Sequence, residues 1–165
     1  MKDVKVSTLY EKYLEDCKSK LKTIGCCQEG WDKHTITGLN GWVFENLVVD
    51  LIKKEIHSVS ITAQPSLYPR GSKKRAKADL LVDNKIAIEA KAAGVYSKEY
   101  IKRLGEYKKA AEEKGWVYLY ISLKESYKPY YEGTKEAIGH QNAFFLDRQK
   151  GDWIRFIERI SQLIK

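Results

Sequence analysis

Residues 77–92, "KADLLVDNKIAIEAKA", restrict the fold more than any other part of the chain. Leu80, Val82, Ile86, Ile88 and Ala90 recur at the two-residue period of a β-strand on either side of Asp83-Asn84-Lys85. Side chains alternate faces along a strand, so the register of a hairpin decides which residues share a side. A two-residue turn at Asp83-Asn84 pairs Val82 with Lys85 and Leu80 with Ala87, which splits the apolar residues between opposite faces. A three-residue loop, Asp83-Asn84-Lys85, pairs Val82 with Ile86 and Leu80 with Ile88 and gathers all five on one face. Burial selects the second register.

That register sets Asp79 opposite Glu89, with Lys91 two residues on and on the same side. Directly opposed residues have Cβ atoms roughly 4.5–5.5 Å apart. Two carboxylates that close repel, so one takes up a proton or a positive group sits between them. A hard divalent cation such as Mg²⁺ suits the pair, because it favours oxygen ligands and keeps several waters. Lys91 is then placed to neutralise a phosphate or to orient an attacking water. The same charges are also explained without a ligand, by Lys91 pairing with one acid on an exposed face.

Around the hairpin the periodicities predict a run of helices and strands. Thr8 and Glu11 read as a capping box, and Leu9, Tyr10, Tyr13, Leu14, Cys17 and Leu21 follow at helical spacing, which predicts a helix over 8–23. Residues 25–38 read as a connector rich in turn residues. A second helix from about Leu39 to Glu55 buries Val43, Phe44, Leu47, Val48, Leu51 and Ile52, with Glu45 beside that stripe. Residues 58–64 alternate as a strand. Residues 97–115 read as a third helix, with Ser97 as N-cap and Gly115 as its stop. Residues 116–123 are β-prone, 125–142 read as a loop rich in Tyr, Pro and Gly, and 143–146 as a short strand. A closing helix from Asp152 buries Trp153, Phe156, Ile157, Ile160 and Ile164. The order predicts an α/β protein, a mixed central sheet flanked by helices, with extra helices at both termini. A chain of 165 residues is most simply one domain, 1–165.

A net charge of +8 favours a polyanionic partner. Residues 68–77, "YPRGSKKRAK", hold Arg70, Lys73, Lys74, Arg75 and Lys77 with no acid among them. The run leads straight into Asp79, so these five are expected to bind DNA through its phosphates; the other reading is a solvated basic loop. No apolar run is long enough to cross a bilayer, and the N-terminus lacks a signal-like apolar region, so a cytoplasmic protein with no membrane partner is expected. Three cysteines, with Cys26 and Cys27 adjacent, make neither a disulfide framework nor a zinc pattern. His34 and His140 lack partners at ligand spacing and read as structural.

Asp79, nine intervening residues and then Glu89-Ala90-Lys91 on adjoining strands, preceded by a helix carrying "GWVFE", resemble the PD-(D/E)XK nucleases, the restriction-endonuclease-like superfamily. The resemblance covers roughly residues 38–123 and follows the family's α-β-β-β-α-β core order. The flanks, 1–37 and 124–165, are accessory to that core. One departure is that Ala78 stands where the family motif has its leading proline. The resemblance implies metal-dependent phosphodiester hydrolysis. Asp79 and Glu89 hold Mg²⁺ (Mn²⁺ able to substitute), with Glu45 and the carbonyl of Ala90 as further ligands, and Lys91 helps to activate a water. The substrate it implies is DNA, duplex or branched. A small restriction-type enzyme is the first expectation, a Holliday junction resolvase or a repair or mobile-element nuclease the second, and the additional N-terminal helix leans away from the resolvases. A reading of another class is a non-catalytic nucleic-acid-binding module; retention of both acids and the lysine favours catalysis. An RNA-directed nuclease is a third possibility. Cutting a duplex needs two sites, so a homodimer is expected, with the terminal helices as spare interface. The Tyr-rich segment 125–142 is a candidate base reader.

Overall fold

The computed structural model of the chain describes residues 5–23, 33–124, 128–146 and 151–165. In chain order its elements are α1 (Val6–Thr23), α2 (Lys33–Glu55), β1 (Ile61–Ala63), β2 (Leu80–Val82), β3 (Ile86–Lys91), α3 (Lys98–Glu113), β4 (Val117–Ser122), α4 (Lys128–Ile138), β5 (Ala143–Phe145) and α5 (Asp152–Ile164). The strands form one mixed sheet in the order β1-β2-β3-β4-β5, antiparallel up to β3 and parallel beyond it. The protein is therefore α/β, and its run from α2 to β4 is α-β-β-β-α-β.

The hairpin adopts the register that burial selects. Val82 pairs with Ile86 and Leu80 with Ile88. The loop closes because Asp83 and Asn84 occupy the left-handed region, at φ 47° and 56°, a conformation that short polar side chains tolerate better than others. Asp83 Oδ1 also accepts from the Ser60 N–H at 2.7 Å, tying the turn to the entry of β1. Leu80, Val82, Ile86, Ile88 and Ala90 share one core with α1, α2 and α5, while Leu81 and Ala87 enter a second core with α3 and α4. A one-residue slip would exchange the two sets. Each large aliphatic side chain gains roughly 1.5–3 kcal/mol from burial, so a slip that mismatches several of them is strongly disfavoured.

Four expectations need correction. The first helix starts at Val6, so Thr8 lies inside its first turn and donates its N–H to Lys5 O; Val6 is buried and draws the helix onto the core. The second helix starts at Lys33, six residues before Leu39, and runs through Gly38 and Gly41, a case of context overriding propensity. The rest of the expected connector, with Cys26 and Cys27, lies outside the described residues. The strand expected over 58–64 pairs only over Ile61–Ala63, because Ser58 and Gln64 take positive φ on either side. Most of the expected Tyr-rich loop is helix α4. Pro129 lies in its first turn, where a missing N–H costs nothing. Gly133 lets α4 come close to α3: a Cβ there would stand 3.1 Å from Ile101 Cδ1. Glu125, Ser126 and Tyr127 lie outside the described residues.

The closing helix is fully engaged. Trp153, Phe156, Ile157 and Ile160 are buried in the first core, and Leu163 and Ile164 pack on its edge. Its apolar face is therefore covered by the protein's own sheet and is not a spare interface. Asp152 is buried at its start, accepting from the Phe145 N–H at 2.7 Å and pairing with Arg155, which locks α5 to β5. Among the described residues no helix is long and apolar enough to cross a membrane.

Candidate functional site

Asp79 is the last residue before β2. Its N–H donates to Ile88 O at 3.0 Å, and its Oδ2 accepts from the Ala90 N–H at 2.7 Å, so the neighbouring strand fixes both its backbone and its carboxyl. Glu89, only 4% exposed, points to the α3 side of the sheet. Its Oε1 accepts from Lys91 Nζ at 2.7 Å and from the Tyr100 hydroxyl at 2.8 Å, and its Oε2 from the Tyr118 hydroxyl at 3.4 Å. Tyr100 arrives there because Ser97 caps α3, accepting the Tyr100 N–H at 3.1 Å and setting the helix's first turn over β3. Lys91 Nζ also lies 3.8 Å from Asp79 Oδ2. The two acids thus share one ammonium. Their oxygens can be no further apart than those two Lys91 distances laid end to end, whereas direct ligation of one Mg²⁺ by both would need them within about 4.2 Å, so the ion would have to take the place of the ammonium between them.

The charges push against burial. Burial raises the Asp79 carboxyl most, repulsion from Glu89 adds to it, and Lys91 and the Ala90 N–H oppose it, leaving it pushed up to about 7. For Lys91 burial works downward, but Glu89 and Asp79 together outweigh it and the net direction is up, so the ammonium stays charged. The hydroxyls of Tyr100 and Tyr118 are raised by burial first and by Glu89 next, which keeps them neutral donors.

Glu45, on α2, lines the same cleft as Ala90, Lys91 and Tyr100, a cavity of about 970 Å³. Its carboxyl is raised by burial, lowered by Lys91 and raised again by Glu89, so it feels both. Among the described residues no group of three or more His, Cys, Asp or Glu converges as a ready metal cage. A hard divalent cation would draw on the Asp79, Glu89 and Glu45 carboxyls only once Lys91 Nζ gave way, since Glu89 Oε1 and Asp79 Oδ2 both face that ammonium, and such an ion asks few ligands of a protein because it keeps most of its waters.

Asp79, Glu89, Ala90, Lys91 and Glu45 are therefore brought together. The cationic run is not brought to the same cleft. Arg70, Lys73, Lys74, Arg75 and Lys77 are all exposed, on an excursion pinned by buried Leu67 and closed by Leu67 N–H to Ala76 O and Ala78 N–H to Pro65 O. Four of them, Arg70, Lys74, Arg75 and Lys77, line a separate depression of about 610 Å³. In the candidate base reader Tyr131 packs edge-on against Phe145 with centroids 4.5 Å apart, while Gln141 is exposed. His140 is exposed, and the His34 side chain lies outside the described residues.

Sequence reasoning missed Tyr100, Tyr118 and Arg103. Arg103 lines the cleft and stacks 5.5 Å from the centre of the Tyr100 ring. One signal was available, since a residue three beyond a helix N-cap is fixed in the first turn. No family model, no curated protein and no solved structure compared with the chain matches it.

Proposed function

We propose that the protein is a Mg²⁺-dependent nuclease that hydrolyses phosphodiester bonds in DNA, with a PD-(D/E)XK-type, restriction-endonuclease-like site. The observation that carries this reading is the shared ammonium of Lys91 between Asp79 and Glu89, at a cleft that Glu45 also lines. In this reading Asp79 and Glu89 hold the ion, with Glu45 and the Ala90 carbonyl as further oxygen donors. When bound, the ion supplies positive charge at the scissile phosphate and makes water more acidic. The Ala90 N–H keeps Asp79 aimed, and Tyr100 and Tyr118 hold Glu89 from the far side. Lys91 neutralises a non-bridging phosphate oxygen and orients the attacking water. One P–O bond forms from water, one P–O bond to the sugar breaks, and the leaving oxygen takes up a proton. Cutting both strands of a duplex needs two such sites, so a homodimer belongs to this reading. Its interface must lie away from the apolar face of α5.

A second reading, a nucleic-acid-binding module without catalysis, is favoured by one observation. Glu89 Oε1 already accepts two short hydrogen bonds, which makes Lys91 a built-in counter-ion for the pair. Incubation with plasmid, four-way junction and single strands, with and without Mg²⁺, separates the two. The nuclease reading expects cleavage only with Mg²⁺ or Mn²⁺, lost in Asp79→Asn and Glu89→Gln while the circular dichroism spectrum stays native. Binding without cleavage in either metal leaves the module.

A further inference from the structure

We infer that the cleft beside Lys91 receives one unstacked polynucleotide strand, whose bases lie on Tyr96 and Trp42. The inference rests on the reading of this cleft as the place where a phosphodiester lies, and it names the form of the substrate.

Among the described residues only three large apolar side chains are exposed, Tyr13, Trp42 and Tyr96. One of them, Tyr96, lines this cleft, and a second, Trp42, stands one residue from the lining residue Gly41. Tyr96 lines it and is 71% exposed, the most of the three. It is held out rather than loose, because Val95 before it is buried and Ser97 after it caps α3. Trp42, 54% exposed, stands on α2 next to Gly41, which lines the cleft, and three residues before Glu45, on adjacent helix positions. The wall leading to Tyr96 includes Ala92, Ala93 and Gly94, so a strand's backbone meets little side-chain bulk there. Arg103 and Lys124 line the same space, and neither forms an ion pair among the described residues.

Cations that track a backbone, with aromatic faces beside them, are the means by which single strands are held without base-edge readout. A duplex offers its edges and phosphates but keeps its base faces stacked, and it would leave both rings in water. The cleft itself, about 970 Å³, is at the top of the roughly 300–1,000 Å³ typical of small-ligand pockets and has room for a nucleotide or two within it.

The test uses fluorescein-labelled oligothymidylate, oligouridylate, an abasic phosphodiester strand of equal length and a blunt hairpin duplex, with EDTA present. Oligothymidylate is expected to bind more tightly than the abasic strand and the duplex, and oligouridylate, which changes the sugar and the base methyl together, should keep that order because either base stacks. Tyr96→Ala and Trp42→Ala are each expected to lower the ratio of single-strand to duplex affinity about 5- to 150-fold, the stacking of one base. Tyr96→Phe keeps the ring and should keep the ratio. Tighter binding of the duplex than of oligothymidylate, or alanine variants with an unchanged ratio, would overturn the inference. Cleavage assays with Mg²⁺ on the same proteins keep the two readings apart. Duplex cleavage indifferent to both rings defeats this inference alone. Ring-dependent strand binding with no cleavage supports it and defeats the nuclease reading alone.

Discussion

A carboxyl that ionises reluctantly needs a reason to be kept, and Asp79 is the residue where the fold's cost is concentrated. Burial and Glu89 push it up to about 7, against roughly 3.9 in an unfolded chain. The folded state therefore binds this proton more tightly than the unfolded state. The stability linked to it is fully present below about pH 4 and is lost as pH rises through about 7. Asp79→Asn keeps an oxygen for the Ala90 N–H and removes the charge. In EDTA at pH 8 the variant should be more stable than the wild type by about 1–3 kcal/mol, under the ceiling set by roughly 1.36 kcal/mol per pKa unit. The gain should shrink toward pH 4. Urea unfolding at both pH values measures it. A variant less stable than wild type at pH 8 would mean that Lys91 fully compensates the ionised acid.

Elements follow from simpler chemistry, and the hairpin shows it best. Asn84 is exposed and stands at φ 56°, so its backbone conformation rather than a packing contact governs substitution there. Asn84→Ala should cost about 1 kcal/mol, since alanine pays the left-handed penalty that asparagine partly escapes. Asn84→Gly should stay within about 0.5 kcal/mol, the relief in the fold being offset by a freer unfolded chain. Equal losses in the two variants would show that the side chain, not φ, matters. This turn, and with it the facing of Asp79 and Glu89, was legible because alternation and loop length leave one register that buries five apolar residues together. The third and closing helices were legible for the same kind of reason, a cap at Ser97 and a 3.6-residue apolar stripe after Asp152. Helix α4 was not, because Pro129 and Gly133 read as turn residues until Ile101 is known to lie against Gly133. Nor were Tyr100 and Tyr118. Their approach to Glu89 depends on how β4 and α3 dock on β3, which no spacing along the chain encodes.

At the scale of the whole molecule, two groups of cations concern a polyanion most. One is the cleft wall, with Lys91, Arg103 and Lys124. The other is the excursion carrying Arg70, Lys73, Lys74, Arg75 and Lys77, none of which is in an ion pair among the described residues. The excursion lines a depression separate from that cleft, so it offers phosphates a second surface. Its exposed cations make only peripheral contacts, Lys74 over the Tyr68 ring at 5.8 Å and Lys77 to Gln64 at 3.5 Å, and the segment is anchored by Leu67 beneath them. Replacing Lys73, Lys74 and Arg75 together by serine should therefore change stability by less than about 0.5 kcal/mol per site. Binding should weaken alike on all sequences, since a cation resting on a phosphate reads no base. For every phosphate that the variant no longer neutralises, the plot of log affinity against log salt should flatten by about 0.9 for duplex DNA and about 0.7 for a single strand. The difference between those two slopes, measured on one variant, reports which form of DNA the excursion touches. An unchanged slope on both forms would show that the excursion faces away from the nucleic acid, and would leave the cleft wall to supply the whole electrostatic attraction.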